Sequence, residues 1–369
     1  MENSQAIIAA KLDENNLEIC DDEDKMGKGA FGQVFKVRHK NRKNIVYAAK
    51  IILENVEKNK ERIRDFRGRN IIKINKDYEG SGNSYYMYLM EVSNFGNLGK
   101  LPTYLEKEKE RKIFKEPFVE RFGDNLLRFF VKQMILGLRT FYEGNFVHFD
   151  IKPENMLIFK NLEIKFIDFN FLRKLDDEGY DKSIPGGTPG YVTPDFYNGK
   201  TIGDDDFLRS QDYFAIGSTI FYLKYNKKMI RQNNIEGTGD GKAIRDIMRD
   251  NTTSLIEEAM DFIKRQKYQD KDFIDFLCNL IQFKYENRPK YEEIINNKWL
   301  NKNSEEIEKI RNLHFFDESI LLLELQKSDF LIDNLGQNIK TFDEKNDLDD
   351  KVYINNKRGK FKFGKKRRK

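Results

Sequence analysis

Apolar and polar positions change rhythm partway along the chain. From Asp24 to about Ser93, short β-branched and aromatic runs dominate. VFKV, IVYAAKII and YYMYLMEV are each bounded by polar turn residues, which predicts strands. Between the last two, the charged stretch from Glu54 to Arg67 predicts a helix. From Asn125 the period lengthens: Leu126, Leu127, Phe130, Val131, Met134, Ile135 and Leu138 recur at helical spacing. Further helices are expected at 211–225, 255–265, 272–283 and 291–297. A strand-rich first part and a helix-rich second part give an α+β class, with two lobes and a cleft between them. No internal repeat is evident. Residues 1–20 read as a short extension. Beyond Trp299, residues 304–327 are expected to form an amphipathic helix on Ile307, Ile310, Leu313, Ile320, Leu321 and Leu325. Residues 340–369 are polar, then basic, and read as disordered.

Composition changes this picture at few points. A length of 369 residues allows one large or two ordinary domains, and 39% hydrophobic content supports a real core. No run of about 18 apolar residues predicts a membrane span, and MENSQAIIAAKLDENN lacks a signal-peptide layout. Cys20 and Cys278 lie far apart, as fits a reducing, intracellular setting, and the three histidines are too scattered for a zinc site. The net charge of +5 is a property of the tail: Lys357 to Lys369 carries nine basic residues and no acid, which leaves the remainder at −4. Five of the seven prolines (Pro153, Pro185, Pro189, Pro194 and Pro289) fall in loops of the second part, where fixed φ shapes the backbone.

Candidate chemistry begins at Gly27. GKGAFGQV fits G-x-G-x-x-G-x-V, and a strand-like VFKV follows it, where a dinucleotide fold would need a helix. Glycines let backbone amides approach phosphate oxygens, and Phe31 at the tip would shield the site from water. As an isolated motif this is equally a plain hairpin turn. Lys50 then lies inside an apolar strand, between Val46-Tyr47-Ala48 and Ile51-Ile52. A buried lysine needs an anionic partner, and a nucleotide phosphate would supply one. Downstream, VHFDIKPENMLI and IKFIDFN place Asp150, Lys152, Asn155 and Asp168 after apolar runs, where a buried segment delivers each acid to a site. Each short motif has a bland counterpart, a surface ion pair or a turn; their joint order does not.

Together these motifs resemble the eukaryotic protein kinase family, of the Ser/Thr type given Lys152 and the segment GTPGYVTPD, over about residues 20–300. The resemblance implies a bilobal kinase-like fold: a domain over 21–300, with a β-rich N-lobe at 21–93 and a helical C-lobe at 94–300, then a tail over 301–369. It also implies ATP and Mg²⁺ as cofactors. Asp150 would orient the substrate hydroxyl and accept its proton, Lys152 would stabilise the transferring phosphoryl group, and Thr188 would hydrogen-bond near both. Asn155 and Asp168 would hold Mg²⁺. ATP would be bound by Met26, Gly27, Lys28, Gly29, Ala30, Phe31, Gly32 and Val34, by Ala48 and Lys50, and by Met90, Glu91, Ser93 and Leu157. Asp212 would support the catalytic loop, and Asp195 would pair with Arg288. The family's helix glutamate, partner of Lys50, falls near Asn59 by counting, with Glu57 and Glu61 as neighbours; Glu57, Glu61 or neither fills the role.

Two positions depart from the family. His148-Phe149-Asp150 replaces His-Arg-Asp, removing the arginine that receives a phosphorylated activation loop, so activity is expected without phosphorylation between Phe171 and Thr188. Asp168-Phe169-Asn170 replaces Asp-Phe-Gly; the metal ligand stays, and asparagine implies a stiffer loop. At Asn97, relatives often carry an acid that reads basic substrates; its absence gives no support for a basic-directed preference. The segment 226–270 reads as a docking insert. The function implied is transfer of the ATP γ-phosphoryl group to Ser/Thr hydroxyls of a protein substrate; the alternative is a pseudokinase scaffold. The tail, Lys357 to Lys369, would suit an acidic filament, nucleic acid or an anionic membrane. A cytoplasmic location follows, with nuclear or cytoskeletal association through that tail.

Overall fold

A computed structural model describes residues 2–20, 25–29, 32–53, 67–68, 70–80, 85–103, 116–175, 187–193, 205–230, 254–266 and 270–302. Several expectations fall outside these residues: the helix at 54–67 with Glu57 and Glu61, Ala30 and Phe31, Asp195, most of the 226–270 segment, the helix at 304–327 and the basic tail. The chain divides into two compact units between Val92 and Ser93.

Among the described residues, the first unit is an antiparallel sheet with one helix. Helix α1 spans Glu2–Glu14, and the strands are β1 (Leu17–Ile19), β2 (Lys25–Gly29), β3 (Gly32–His39), β4 (Arg42–Ile52), β5 (Ile74–Glu79) and β6 (Tyr86–Met90). The order is β1-β3-β4-β6-β5, with β2 also paired to β3. The three runs read as strands in the sequence lie in β3, β4 and β6. Side chains alternate between faces along a strand, and directly paired residues share a face. Val34 pairs with Lys50, Lys50 with Tyr88 and Ala48 with Met90. One face therefore carries Val34, Ala48, Lys50 and Met90. The other carries Phe35, Val37, Ala49, Ile51, Met87 and Leu89, which form a core with Ile8 and Leu12 of α1 and Leu17 of β1. The stretch read as an extension thus places Ile8, Leu12 and Leu17 in this core.

The second unit is mainly helical, as the periodicity predicts. Helix α2 runs Glu116–Glu143, and all seven of its periodic apolar residues from Leu126 to Leu138 are buried. Helix α3 runs Asp205–Tyr225, beginning six residues before its expected start, with Asp205 and Asp206 favourably placed in its first turn. A helix at 254–264, then Lys271–Leu280 and Tyr291–Ile295, match the expected helices to within a few residues at their ends. Strand β7 (Phe146–Val147) is followed by β8 (Met156–Ile158), β9 (Ile164–Phe166) and β10 (Arg173–Lys174). β8 and β9 form a hairpin, and β10 pairs with β7. Among the described residues, no helix is long and apolar enough to cross a membrane.

Candidate active site

In the first unit, the glycine motif forms the β2–β3 hairpin. Gly27 pairs with Val34, Lys28 with Gln33 and Gly29 with Gly32. Close backbone approach makes Gly32 necessary, because a Cβ there would lie 2.5 Å from the Ile51 carbonyl oxygen. Met26 is also in β2, but only the backbone of Met26–Gly29 is described. Lys50 is 8% exposed, and Ala48 and Met90 are buried on the same sheet face. Glu91 accepts from the Lys73 amide through Oε1 at 2.8 Å, and its own amide donates to the Lys73 carbonyl.

In the second unit, two short ladders hold the acidic loop. β7 and β8 bracket residues 148–155, so both ends of that loop are fixed by strand pairing. A buried helix residue also fixes its first two residues. Both carboxylate oxygens of Asp212, in α3, accept backbone amides: His148 at 2.9 Å and Phe149 at 3.0 Å. Burial raises the Asp212 carboxyl to about 7, and the two amide bonds oppose that rise. The His148 ring is fully buried among Phe141, Phe166 and Phe169, with centroids 5.2, 5.7 and 5.9 Å away. Burial lowers it to about 4, while Asp150 and Asp168 pull the other way. The Asp150 amide donates to Nδ1 at 3.2 Å, which requires an unprotonated Nδ1 and agrees with a neutral ring.

Asp150 is the centre of the arrangement and is 3% exposed. Lys152 Nζ donates to Asp150 Oδ2 at 2.9 Å and to Thr188 Oγ1 at 2.6 Å. The Thr188 hydroxyl donates to Asp150 Oδ1 at 2.6 Å. Asn155 Nδ2 donates to both the carbonyl and Oδ2 of Asp150, each at 2.8 Å. The three residues predicted as catalytic, and one predicted metal ligand, therefore meet around one carboxylate. The site is buried and charged, held by side chains from two separate chain segments. A turn or a surface ion pair would need neither feature.

Asp168, with φ of +63°, immediately precedes the 3-10 turn Phe169–Phe171. The Ile167 amide donates to the Asn155 carbonyl at 2.9 Å, tying the loop of Asp168 to that of Asn155. Because the Asn155 amide nitrogen is committed to Asp150, its Oδ1 is the group left to face a cation. Among the described residues, no three His, Cys, Asp or Glu side chains cluster to hold a metal by themselves. One carboxylate and one amide oxygen fit Mg²⁺ that takes its other ligands from phosphates and water.

Residues 20–300 match the protein kinase domain family. The chain belongs to that family. This kinase is 27% identical over 250 residues to the serine/threonine-protein kinase MRCK beta of Rattus norvegicus, covering 65% of the chain and 14% of the relative. It is 26% identical over 250 residues to MRCK alpha of Homo sapiens, with the same shares. Over 208 residues it is 26% identical to the serine/threonine-protein kinase Genghis Khan of Drosophila melanogaster, covering 55% of the chain and 12% of that protein. The chain thus spans about one-seventh of the length of the MRCK relatives.

Several contacts that shape the site were not foreseen in the sequence. Asn170 donates its amide to Asp168 Oδ1. Gln133, in α2, binds the Leu162 carbonyl at 2.9 Å and the Ile164 amide at 3.0 Å, gripping the turn between β8 and β9. Asn97 accepts from the Gly99 amide at 3.1 Å and bridges to Leu157, so it serves the backbone. The amide of Gln133 has no period and no motif to mark it. The family's expected pairing for Arg288 lies beyond the described residues; Arg288 is buried and donates to the Gln282 and Phe283 carbonyls at 2.9 and 2.8 Å and to Ser210 Oγ at 3.1 Å. Ser93 is half-buried at the start of the second unit.

Proposed function

We propose that this kinase is catalytically active and transfers the γ-phosphoryl group of ATP to Ser/Thr hydroxyls of protein substrates. The carrying observation is the convergence of Lys152, Thr188 and Asn155 on the Asp150 carboxylate. Asp150 accepts the proton of the attacking hydroxyl and orients its oxygen. Lys152, already within hydrogen-bond distance of Asp150 and Thr188, neutralises charge on the transferring phosphoryl group. Thr188 donates to Oδ1 while Lys152 and Asn155 fill Oδ2, so the open acceptor site of Asp150 lies on Oδ1. Asn155 and Asp168 would hold Mg²⁺, which would supply charge neutralisation on the phosphates. Lys50, a buried cation on the Ala48 and Met90 face, takes the α- and β-phosphates.

A scaffold reading has less support, because protein binding alone gives no reason to keep four polar side chains in mutual hydrogen bonds within a buried site. Radiolabelled ATP and generic Ser/Thr protein substrates test the proposal. Wild type is expected to label substrate, and Lys50→Met to lose labelling by at least about 100-fold, as for removal of a transition-state contact. Labelling by Lys50→Met at the wild-type rate would refute the assignment.

A further inference from the structure

The mechanism leaves one strained, buried residue of the catalytic loop unused. Phe149 has φ of +63° and is 7% exposed, although a bulky residue rarely adopts that backbone conformation. Surrounding structure must hold it there. Its amide is held by Asp212 at 3.0 Å. Its ring belongs to an apolar cluster with Val147, Val192, Phe207 and Leu208, against which Phe171, Leu175 and Tyr285 also pack. This cluster joins three pieces of chain that bear on the site. Val192 lies in the segment carrying Thr188. Phe171 and Leu175 lie in the segment leaving Asp168, which β10 and the Leu175 amide also tie to β7 and Asn145. Phe207 and Leu208 belong to α3, which bears Asp212.

The backbone of Phe149 makes the same connection. Gly187 has φ of +95°, and a Cβ there would lie 2.3 Å from the Phe149 carbonyl oxygen and 3.0 Å from Val192 Cγ2. The residue next to Gly187 is Thr188, whose hydroxyl reaches Asp150 at 2.6 Å. Where the family pattern has an arginine to bind a phosphate, this chain has an uncharged filling that touches the same segments.

We infer that Phe149 is a positioning residue: its ring and carbonyl seat the segment 187–193 on the catalytic loop by apolar packing and close backbone contact, in place of a phosphate–arginine pair. Anchoring of this kind is permanent. It works whatever the state of Tyr180 and Ser183, the hydroxyl-bearing residues between Phe171 and Gly187. The functional consequence rests on the proposed kinase activity; the anchoring itself does not.

The experiment uses the full chain, phosphatase-treated, as wild type, Phe149→Leu, Phe149→Arg and Val192→Ala. It measures peptide transfer kinetics, Mg-ATP binding by thermal shift, and hydrogen exchange at amides 187–193. Leucine keeps the apolar filling and is expected to hold kcat within about threefold of wild type. Arginine buries a charge in the cluster, so exchange at 187–193 should rise and kcat fall by about 100-fold, while Mg-ATP binding is retained. Val192→Ala should give the same split to a smaller extent, and it decides the matter if Phe149→Arg does not fold. Wild-type exchange and kcat in either variant would overturn the inference, as would loss of wild-type activity on phosphatase treatment. If the wild type transfers no label, the kinase proposal fails; faster exchange at 187–193 in the variants would still support the anchoring, and unchanged exchange would still overturn it.

Discussion

Asn170 replaces a residue that in the family pattern has no side chain, and here the side chain has a use. Its amide donates to Oδ1 of Asp168, the proposed metal ligand. Outer partners of this kind orient a ligand and commonly account for about 10–100-fold in metal affinity. Asn170→Gly is therefore expected to raise the Mg²⁺ concentration needed for the Mg-ATP thermal shift by about tenfold; a titration curve superimposing on wild type would show that the contact has no such role. His148 makes a prediction in pH. Its folded value of about 4 lies below the ordinary 6.5. Between those values the unfolded chain binds a proton that the folded chain refuses, so stability falls as the pH drops through this window. Between pH 6.5 and 4.5 the wild type should lose about 2 kcal/mol relative to His148→Asn, which has no imidazole to protonate. Urea unfolding at pH 6.5 and 4.5 measures this, and parallel losses would contradict a neutral buried ring.

At the scale of elements, α1 was the least legible part of the sequence. Its inward face rests on Ile8 and Leu12, an i, i+4 pair too sparse to show as a periodic stripe. The three-residue strand β1 has almost no pattern of its own. Yet both close the core of the first unit, and Asn15 binds the Tyr85 hydroxyl at 2.9 Å to lock the join. Leu12→Ala should lower unfolding stability by about 2–5 kcal/mol, as for other leucines deleted from a packed core. A denaturation midpoint equal to wild type would mean that α1 is dispensable to that core. By contrast, α2 was legible because seven apolar residues repeat over four turns, and β3, β4 and β6 because their runs are long. Helix ends were less so: α3 opens on Asp205 and Asp206, and Phe207 and Leu208 are its only apolar residues before Tyr213, too few to mark a rhythm.

Across the whole molecule, the motif residues were easier to read than the groups that support them. Asp150, Lys152 and Asn155 sit a fixed few residues apart, and local backbone geometry alone brings them together. Thr188 and Asp212 come from distant segments, and only the family resemblance pointed to them; the structure brings both to the catalytic loop. The contacts from Gln133 and Gly187 depend on how segments meet in space, which one sequence does not display. The central claim is that the group at which these segments converge does chemistry. Single-turnover transfer from Mg-ATP, comparing wild type with Asp150→Ala, tests it most directly, with nucleotide binding followed in parallel. The account predicts Mg-ATP binding within about twofold of wild type and a transfer rate lower by about 10²–10⁴-fold, the usual contribution of a positioned proton acceptor. A transfer rate unchanged in Asp150→Ala would contradict it.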